Sequence, residues 1–148
     1  MKRTSGRTGR PVLETGRATA SVLVVPDITG TYTLTTENGV SIPGIVYQDS
    51  VYRIETSSGS VTLRADGTFG YSRSAKGTNV KTNLTCDEGG SGSGKYVVNA
   101  TGTSLTFEVT ASEGQPTTFG GGSVNGNVLS VSVTTPTGSG SATLTKRP

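Results

Sequence analysis

Residues 60–71 read Ser-Val-Thr-Leu-Arg-Ala-Asp-Gly-Thr-Phe-Gly-Tyr, and their pattern decides the fold class. Val61 and Leu63 alternate with polar residues, and the same alternation resumes at Phe69 and Tyr71. A period of two is typical of a β-strand with one apolar face and one polar face. The Asp-Gly pair between the two runs supplies the positive φ of a tight hairpin. The stretch therefore predicts two consecutive antiparallel strands.

The same period of two recurs from Thr29 onward, in short runs of apolar residues. The further runs comprise Tyr32 and Leu34; Tyr52 and Ile54; Val80, Thr82, Leu84 and Cys86; Tyr96 and Val98; Leu105, Phe107 and Val109; Leu129, Val131 and Val133; and Ala142 and Leu144. Turn-forming residues separate them at Asn38-Gly39, Ser58-Gly59, Asp66-Gly67, Thr101-Gly102, Asn125-Gly126-Asn127 and Thr137-Gly138. A disordered chain rich in Gly, Ser and Thr would not keep its apolar residues in this register, so the pattern predicts an all-β domain. We expect one long flexible loop, over the glycine-rich stretch from Asp87 to Gly94.

A meander of eight or more short strands leaves two open edges, and closing the sheet on itself removes both. The sequence therefore predicts an antiparallel up-and-down meander closed into a barrel of about eight strands over residues 29–148.

Residues 1–28 carry five bases against two acids, and we expect this basic segment to be flexible. Residues 29–148 carry eight bases and eight acids, so we expect no specific nucleic-acid binding.

Composition excludes several kinds of chemistry. The chain has no His, no Trp and one Cys, which rules out histidine-based catalysis, imidazole or cysteine-rich metal sites and an intrachain disulfide. The acids Asp49, Asp66, Asp87 and Glu88 lack the spacing of a calcium loop, so we expect no metal and no cofactor. No apolar run approaches the roughly 20 residues of a membrane-spanning helix. The longest run, Val22–Val25, is too short for a signal peptide.

Several of the runs also resemble the bacterial lipocalin-like (calycin) barrel domains, over roughly Thr29 to Arg147. The matching stretches are Gly30-Thr31-Tyr32-Thr33-Leu34, Glu37-Asn38-Gly39, Ile42-Pro43, Ser60 to Phe69, Gly94 to Val98 and Val124 to Leu129. The resemblance implies an up-and-down barrel that is secreted or held at the cell envelope and that binds a small apolar molecule in its calyx. The avidin-like relatives of this barrel hold biotin with tryptophans, so a biotin site is not expected here.

The resemblance also implies a contact that closes one end of the barrel. In that family, the first strand carries Gly-x-Trp and a basic residue near the last strand packs on the tryptophan, which this chain lacks. Here Tyr32 takes the aromatic position, and Lys146, in phase with Leu144, takes the basic one. We expect a cation–π contact between them, worth about 0.5–2 kcal/mol.

The candidate ligand site is the inner face of the barrel, since an eight-stranded barrel is just wide enough to be filled by side chains or to hold one small ligand. Arg73 is in phase with Phe69 and Tyr71, so we expect its guanidinium at the barrel mouth, where a carboxylate or a ligand anion must compensate its charge. A strand end at which Arg73 has already reached solvent is the alternative. The predicted ligand-binding residues are Tyr52, Phe69, Tyr71, Arg73, Tyr96 and Phe107. Packing of the aromatic residues in a filled core explains their pattern equally well.

Cys86 is in phase with Val80 and Leu84, which predicts an inward position as a small apolar side chain. An interchain disulfide is the alternative if the compartment is oxidising.

Three functions are compatible with this pattern. The first is a non-enzymatic binding module with a small apolar or amphipathic ligand in the barrel. The second is a structural or assembly protein with a filled barrel, whose N-terminal segment docks on a neighbouring subunit or an anionic surface. The pattern of Ala18–Val25 predicts an extra strand that could add to the edge of another subunit in a homo-oligomer. The third, a barrel-enclosed isomerase or cyclase, has no acid/base pair in its favour. The resemblance favours the binding module.

Overall fold

The computed structural model describes residues 27–114, 118–135 and 138–148, and these residues form strands and no helix. The strands are β1 (Gly30–Glu37), β2 (Val40–Ser41), β3 (Gly44–Gln48), β4 (Tyr52–Leu63), β5 (Thr68–Asn79), β6 (Thr85–Asp87), β7 (Gly90–Val98), β8 (Ser104–Gly114), β9 (Thr118–Asn125), β10 (Val128–Thr135) and β11 (Gly138–Lys146). The predicted all-β class is confirmed. The predicted flexible segment lies outside the described residues, apart from Asp27 and Ile28.

Eight of the strands close into a barrel in which all neighbours are antiparallel. Their order around the ring is β1, β4, β5, β7, β8, β9, β10 and β11. The last strand returns to the first, with Tyr32 of β1 opposite Lys146 of β11, and β1 also pairs with β4 over Gly30–Thr33. The short strands β2, β3 and β6 lie outside the ring, on β1, β4 and β5. The predicted closed meander of about eight strands is therefore confirmed.

One end of the barrel, here called the closed end, is sealed by the residues that lead into β1. The Tyr32 side chain is fully buried, and its hydroxyl donates a hydrogen bond to the carbonyl oxygen of Ile28 at 2.7 Å. Lys146 Nζ lies 6.0 Å from the centroid of the Tyr32 ring, at the outer limit of a cation–π contact, and 3.4 Å from the carbonyl oxygen of Asp27. Burial raises the pKa of Tyr32, so the hydroxyl keeps the proton that it donates.

Four aromatic rings fill the middle of the barrel. The ring centroids of Phe69 and Phe107 are 5.1 Å apart, and those of Tyr71 and Phe119 are 4.9 Å apart. Phe69 also stacks on Phe119 at 5.7 Å. Leucines continue the core towards the closed end, namely Leu63, Leu105 and Leu129. The four rings are called the aromatic cluster below.

The stretch from Asp87 to Gly94 is not the flexible loop that its composition predicts. β6 ends at Asp87 and β7 begins at Gly90, so most of the stretch is strand, paired with β5 on one side and β8 on the other. A Cβ atom at Gly92 would lie 2.6 Å from a ring carbon of Tyr71 and 2.6 Å from the carbonyl oxygen of Ala111. Glycine is needed here because neighbouring groups approach the backbone closely, and not because the chain must flex.

The alternation from Val80 to Cys86 predicts a strand, and most of that prediction is wrong. β5 ends at Asn79, whose side chain accepts hydrogen bonds from the backbone N–H groups of Lys81 at 3.0 Å and Thr82 at 3.1 Å. These bonds turn the chain back on itself. Leu84 is consequently 72% exposed, and only the short strand β6 follows.

The turn predicted at Ser58-Gly59 is also wrong, because both residues lie inside β4. Gly59 is buried, and a Cβ atom there would lie 3.0 Å from the Leu34 side chain and 3.2 Å from the carbonyl oxygen of Ser72. This glycine therefore marks a close approach between strands. The other predicted turns form at Asn38-Gly39, Asp66-Gly67, Thr101-Gly102 and Gly126-Asn127, while Thr137-Gly138 lies partly outside the described residues.

Phe69→Ala removes a ring that is 0% exposed from the aromatic cluster. We expect the free energy of unfolding to fall by about 3–5 kcal/mol, since apolar contacts are lost and a cavity is left behind. Chemical denaturation followed by circular dichroism measures the loss. Val97→Ala is the control, because Val97 is 67% exposed and its truncation should change stability by no more than about 0.5 kcal/mol. Equal losses in the two variants would contradict the described packing.

Candidate functional site

A cavity of about 170 Å³ lies inside the barrel at the end opposite the closed end, here called the open end. Its apolar lining includes Leu34, Val46, Ile54, Val61, Tyr71, Phe119, Val131, Val133, Ala142 and Leu144. Its polar lining includes Glu37, Asn38, Ser60, Ser72, Arg73, Glu88, Ser139 and Ser141. Since Tyr71 and Phe119 belong to the aromatic cluster, that cluster forms the floor of the cavity. The interior is thus packed towards the closed end and hollow towards the open end.

Two β-bulges, one in β1 and one in β4, affect which polar side chains face the barrel interior near this cavity. An extra residue in one strand reverses the facing of the side chains beyond it. In β1 the register against β11 shifts just after Leu34, so that Glu37 and not Thr36 faces inward. In β4 the register against β5 shifts between Thr56 and Ser58, and Thr56 lies on the inner face with 0% exposure.

Arg73 of β5 bonds to both of these inward side chains. Its Nε donates to Glu37 Oε1 at 2.9 Å, and its Nη2 donates to Glu37 Oε2 at 2.8 Å. Nη2 also donates to Thr56 Oγ1 at 2.9 Å, and Nη1 donates to the carbonyl oxygen of Glu88 at 3.0 Å. Thr56 Oγ1 in turn donates to Glu37 Oε1 at 3.2 Å. The guanidinium therefore joins β5 to β1, to β4 and to the segment before β7.

The Arg73–Glu37 ion pair determines which charges a molecule in the cavity would meet. The two side chains are 20% and 16% exposed, and the bidentate geometry is the strong form of this pair. The carboxylate that an inward Arg73 requires is thus supplied by the chain itself. Glu88 also lines the cavity, but its carboxylate accepts a hydrogen bond from the Tyr52 hydroxyl and its carbonyl oxygen accepts one from Arg73. An anionic ligand would have to displace Glu37 from the guanidinium, so the arrangement disfavours anions.

Four of the predicted ligand-binding residues lie on the inner face of β5 and β8. Two of them line the cavity and two do not. Tyr71 and Arg73 line the cavity. Phe69 and Phe107 contact each other deeper in the aromatic cluster and are not part of the cavity lining. The site that the structure forms therefore lies nearer to the open end than the predicted one.

The other two predicted residues, Tyr96 and Tyr52, lie away from the cavity. The hydroxyl of Tyr96 donates to the carbonyl oxygen of Arg64 at 2.6 Å, towards the closed end, and burial raises the pKa of Tyr96. Tyr52 stands at the start of β4, where its hydroxyl lies 2.7 Å from Cys86 Sγ and donates to Glu88 Oε2 at 2.6 Å. Neither hydroxyl is available to a molecule in the cavity.

The predicted inward position of Cys86 is wrong. Cys86 is exposed on β6, which pairs with β5 outside the ring and places Cys86 opposite Gly77. Its Sγ and the Glu88 carboxylate both bond to the Tyr52 hydroxyl, which holds the pKa of Tyr52 well above its ordinary range. Tyr52 therefore remains a protonated donor at neutral pH.

Sequence reasoning named neither Glu37 nor Thr56, although Thr56 is in phase with Ile54. Strict alternation from Leu34 places Glu37 on the outer face, and a bulge leaves no reliable mark in a run of threonines and serines. The usable signal was Arg73, because an inward arginine requires a carboxylate within reach. The structure identifies that carboxylate as Glu37.

Within residues 27–114, 118–135 and 138–148, no helix is long and apolar enough to cross a membrane. In the same part of the chain, no three or more Cys, Asp or Glu side chains are grouped so that they could hold a metal ion. No protein-family model, curated protein or solved structure matches this chain. The geometry of the barrel and its cavity must therefore carry the functional argument.

Glu37→Gln nearly keeps the shape of the side chain but leaves Arg73 without its counter-charge. We expect the free energy of unfolding to fall by about 2 kcal/mol. This value lies between the cost of breaking an exposed ion pair, about 0–1 kcal/mol, and that of breaking a buried one, about 3–5 kcal/mol. Denaturant unfolding measures it, and Glu55→Gln is the matched control because Glu55 is exposed. Adding Arg73→Met to Glu37→Gln should recover part of the loss. A Glu37→Gln protein as stable as the control would show that the pair does not hold the open end together.

Proposed function

We propose that this protein is a non-enzymatic binding module, a lipocalin-like (calycin) barrel that holds a small, neutral and mainly apolar molecule in the cavity at its open end. The observation that supports the proposal is the cavity itself, about 170 Å³ of space enclosed largely by apolar side chains. Concave, mostly apolar pockets with a few convergent polar groups are the usual form of small-molecule sites. The sequence resemblance to that family supports the same function, and with it a location outside the cell or at its envelope.

The size of the cavity limits the ligand. An apolar protein cavity of about 150 Å³ accommodates benzene, whereas pockets for drug-sized molecules measure about 300–1,000 Å³. A cavity of about 170 Å³ therefore suits one aromatic ring or a short alkyl chain. A long acyl chain or a fused-ring ligand would not fit without displacement of the aromatic cluster.

The polarity of the cavity determines how such a ligand would lie. Its apolar part would contact Leu34, Val131 and Ala142, which line the wall. A hydroxyl or carbonyl group would point to the Arg73–Glu37 pair, the strongest polar feature of the lining. Because the Arg73 guanidinium is already paired with Glu37, the lining favours a neutral molecule over a carboxylate.

A filled-barrel assembly protein remains the second candidate function. The observation that favours it is the aromatic cluster, which packs the middle of the barrel without space for a ligand between its rings. The two functions differ in one respect that an experiment resolves. The binding module requires that a small molecule enter the open-end cavity, and the assembly protein does not.

Ala142→Leu tests the binding module by extending a branched alkyl group from β11 into the cavity. We expect fluorobenzene to bind the unchanged protein, which broadens and shifts its fluorine NMR signal, and we expect the variant to lose at least tenfold in affinity. Ala65→Leu is the matched control, because it makes the same change at an exposed position in the β4–β5 turn and should bind fluorobenzene normally. The proposal fails if fluorobenzene does not bind the unchanged protein, or if the Ala142→Leu and Ala65→Leu proteins bind it equally well.

A further inference from the structure

Strand β3 presents an unpartnered edge. Among the described residues β3 pairs with β4 alone, so the backbone groups along its other side meet no strand. Unpaired edges are templates for a further strand, and proteins commonly block them with lysine, proline or a covering segment. The strand reads Gly-Ile-Val-Tyr-Gln over Gly44–Gln48 and contains neither lysine nor proline. This edge is therefore open to pairing.

The same region concentrates exposed apolar surface. Ile45 is 44% exposed, Tyr47 is 37% exposed, and Val51, in the turn that follows β3, is 45% exposed. An apolar surface beside an open edge fits a partner strand whose own side chains are apolar. The segment Ala18–Val25, Ala-Thr-Ala-Ser-Val-Leu-Val-Val, has this composition.

Charge also matches this surface to the N-terminal segment. Residues 1–26 carry five bases and one acid, a net charge of +4. The open-end half of the barrel, to which β3 belongs, has six acids and four bases. The acids are Glu37, Asp49, Glu55, Asp87, Glu88 and Glu113, and the bases are Arg53, Arg73, Lys76 and Lys81. Opposite net charges steer the segment to this end of the barrel.

The four residues Val22–Val25 cannot reach β3 of their own barrel. Asp27 lies at the closed end, beside Lys146. Strand β5 runs from the closed end, at Phe69, to the level of β3, at Gly77. The eight residue steps between these two positions span about 26 Å. The five residue-to-residue steps from Val22 to Asp27 extend at most about 18 Å. The edge that Val22–Val25 can join belongs to another molecule.

We propose that Ala18–Val25 of one copy adds as a strand to the free edge of β3 in a second copy, with the basic residues before it lying over the acidic open end. When two copies exchange their segments, the arrangement is a closed two-fold dimer. This proposal does not depend on the ligand, and its test involves none, so the two proposals fail separately.

The mass of the full chain in solution tests the proposal, measured by light scattering after size-exclusion chromatography over a range of concentrations. We expect a dimer for the unchanged protein. Ile45→Lys places a charge at the β3 edge and should shift the mass to the monomer, as should Leu23→Pro, which removes a backbone donor from the added strand. Val97→Lys is the matched control, since Val97 is exposed on β7 and away from that edge, and it should remain a dimer. Circular dichroism checks that each variant keeps the barrel.

Mixing the two monomeric variants identifies the partners of the contact. The Leu23→Pro protein keeps an intact β3 edge, and the Ile45→Lys protein keeps an intact Ala18–Val25 segment. The mixture should therefore form a heterodimer held by one exchanged segment, although neither variant dimerises alone. A monomeric unchanged protein at every concentration would overturn the proposal, as would a dimer that survives both substitutions or a mixture that stays monomeric.

Discussion

The structure depends on how the first strand of the barrel is shared between its neighbours. β1 pairs with β4 only over Gly30–Thr33, and beyond that point the same side of β1 pairs with β2. Direct strand pairing therefore closes the ring at one end alone. At the other end the Arg73 guanidinium joins β1 and β4, through Glu37 and Thr56. A half-buried ion pair thus takes the place of backbone hydrogen bonds where β1 and β4 no longer pair with each other.

The two ways in which β1 and β4 are joined explain why the interior has two different halves. At the closed end, Tyr32 and the leucines around Phe69 fill the space between directly paired strands. At the open end β1 and β4 contain bulges, the polar side chains Glu37 and Thr56 face inward, and a cavity of about 170 Å³ remains. A completely filled barrel would need no arginine on its inner face, because burying a charge costs free energy unless it is compensated. The position of Arg73 and the hollow half are consequences of the same geometry.

The sequence allowed the fold to be predicted well and the site only in part, and single residues show why. The period of two at Val61, Leu63 and Phe69 identified the strands because a half-buried sheet forces that period on its side chains. The inward position of Glu37 was not predicted, because a bulge shifts the period by one residue without a change in composition. The glycines near Gly92 suggested a flexible loop, and only the contact with the Tyr71 ring shows that they permit close packing. Bulges and close approaches arise between strands that are distant in sequence, so one chain read alone does not reveal them.

The proposed function requires that the open-end half of this barrel enclose a space that a small apolar molecule can occupy. Crystals of the full chain exposed to xenon under pressure test it most directly, because xenon binds in apolar cavities of this size whatever the natural ligand is. We expect a xenon atom inside the barrel, bounded by Leu34, Val131 and Ala142. A barrel without bound xenon, with side chains collapsed into that space, would contradict it.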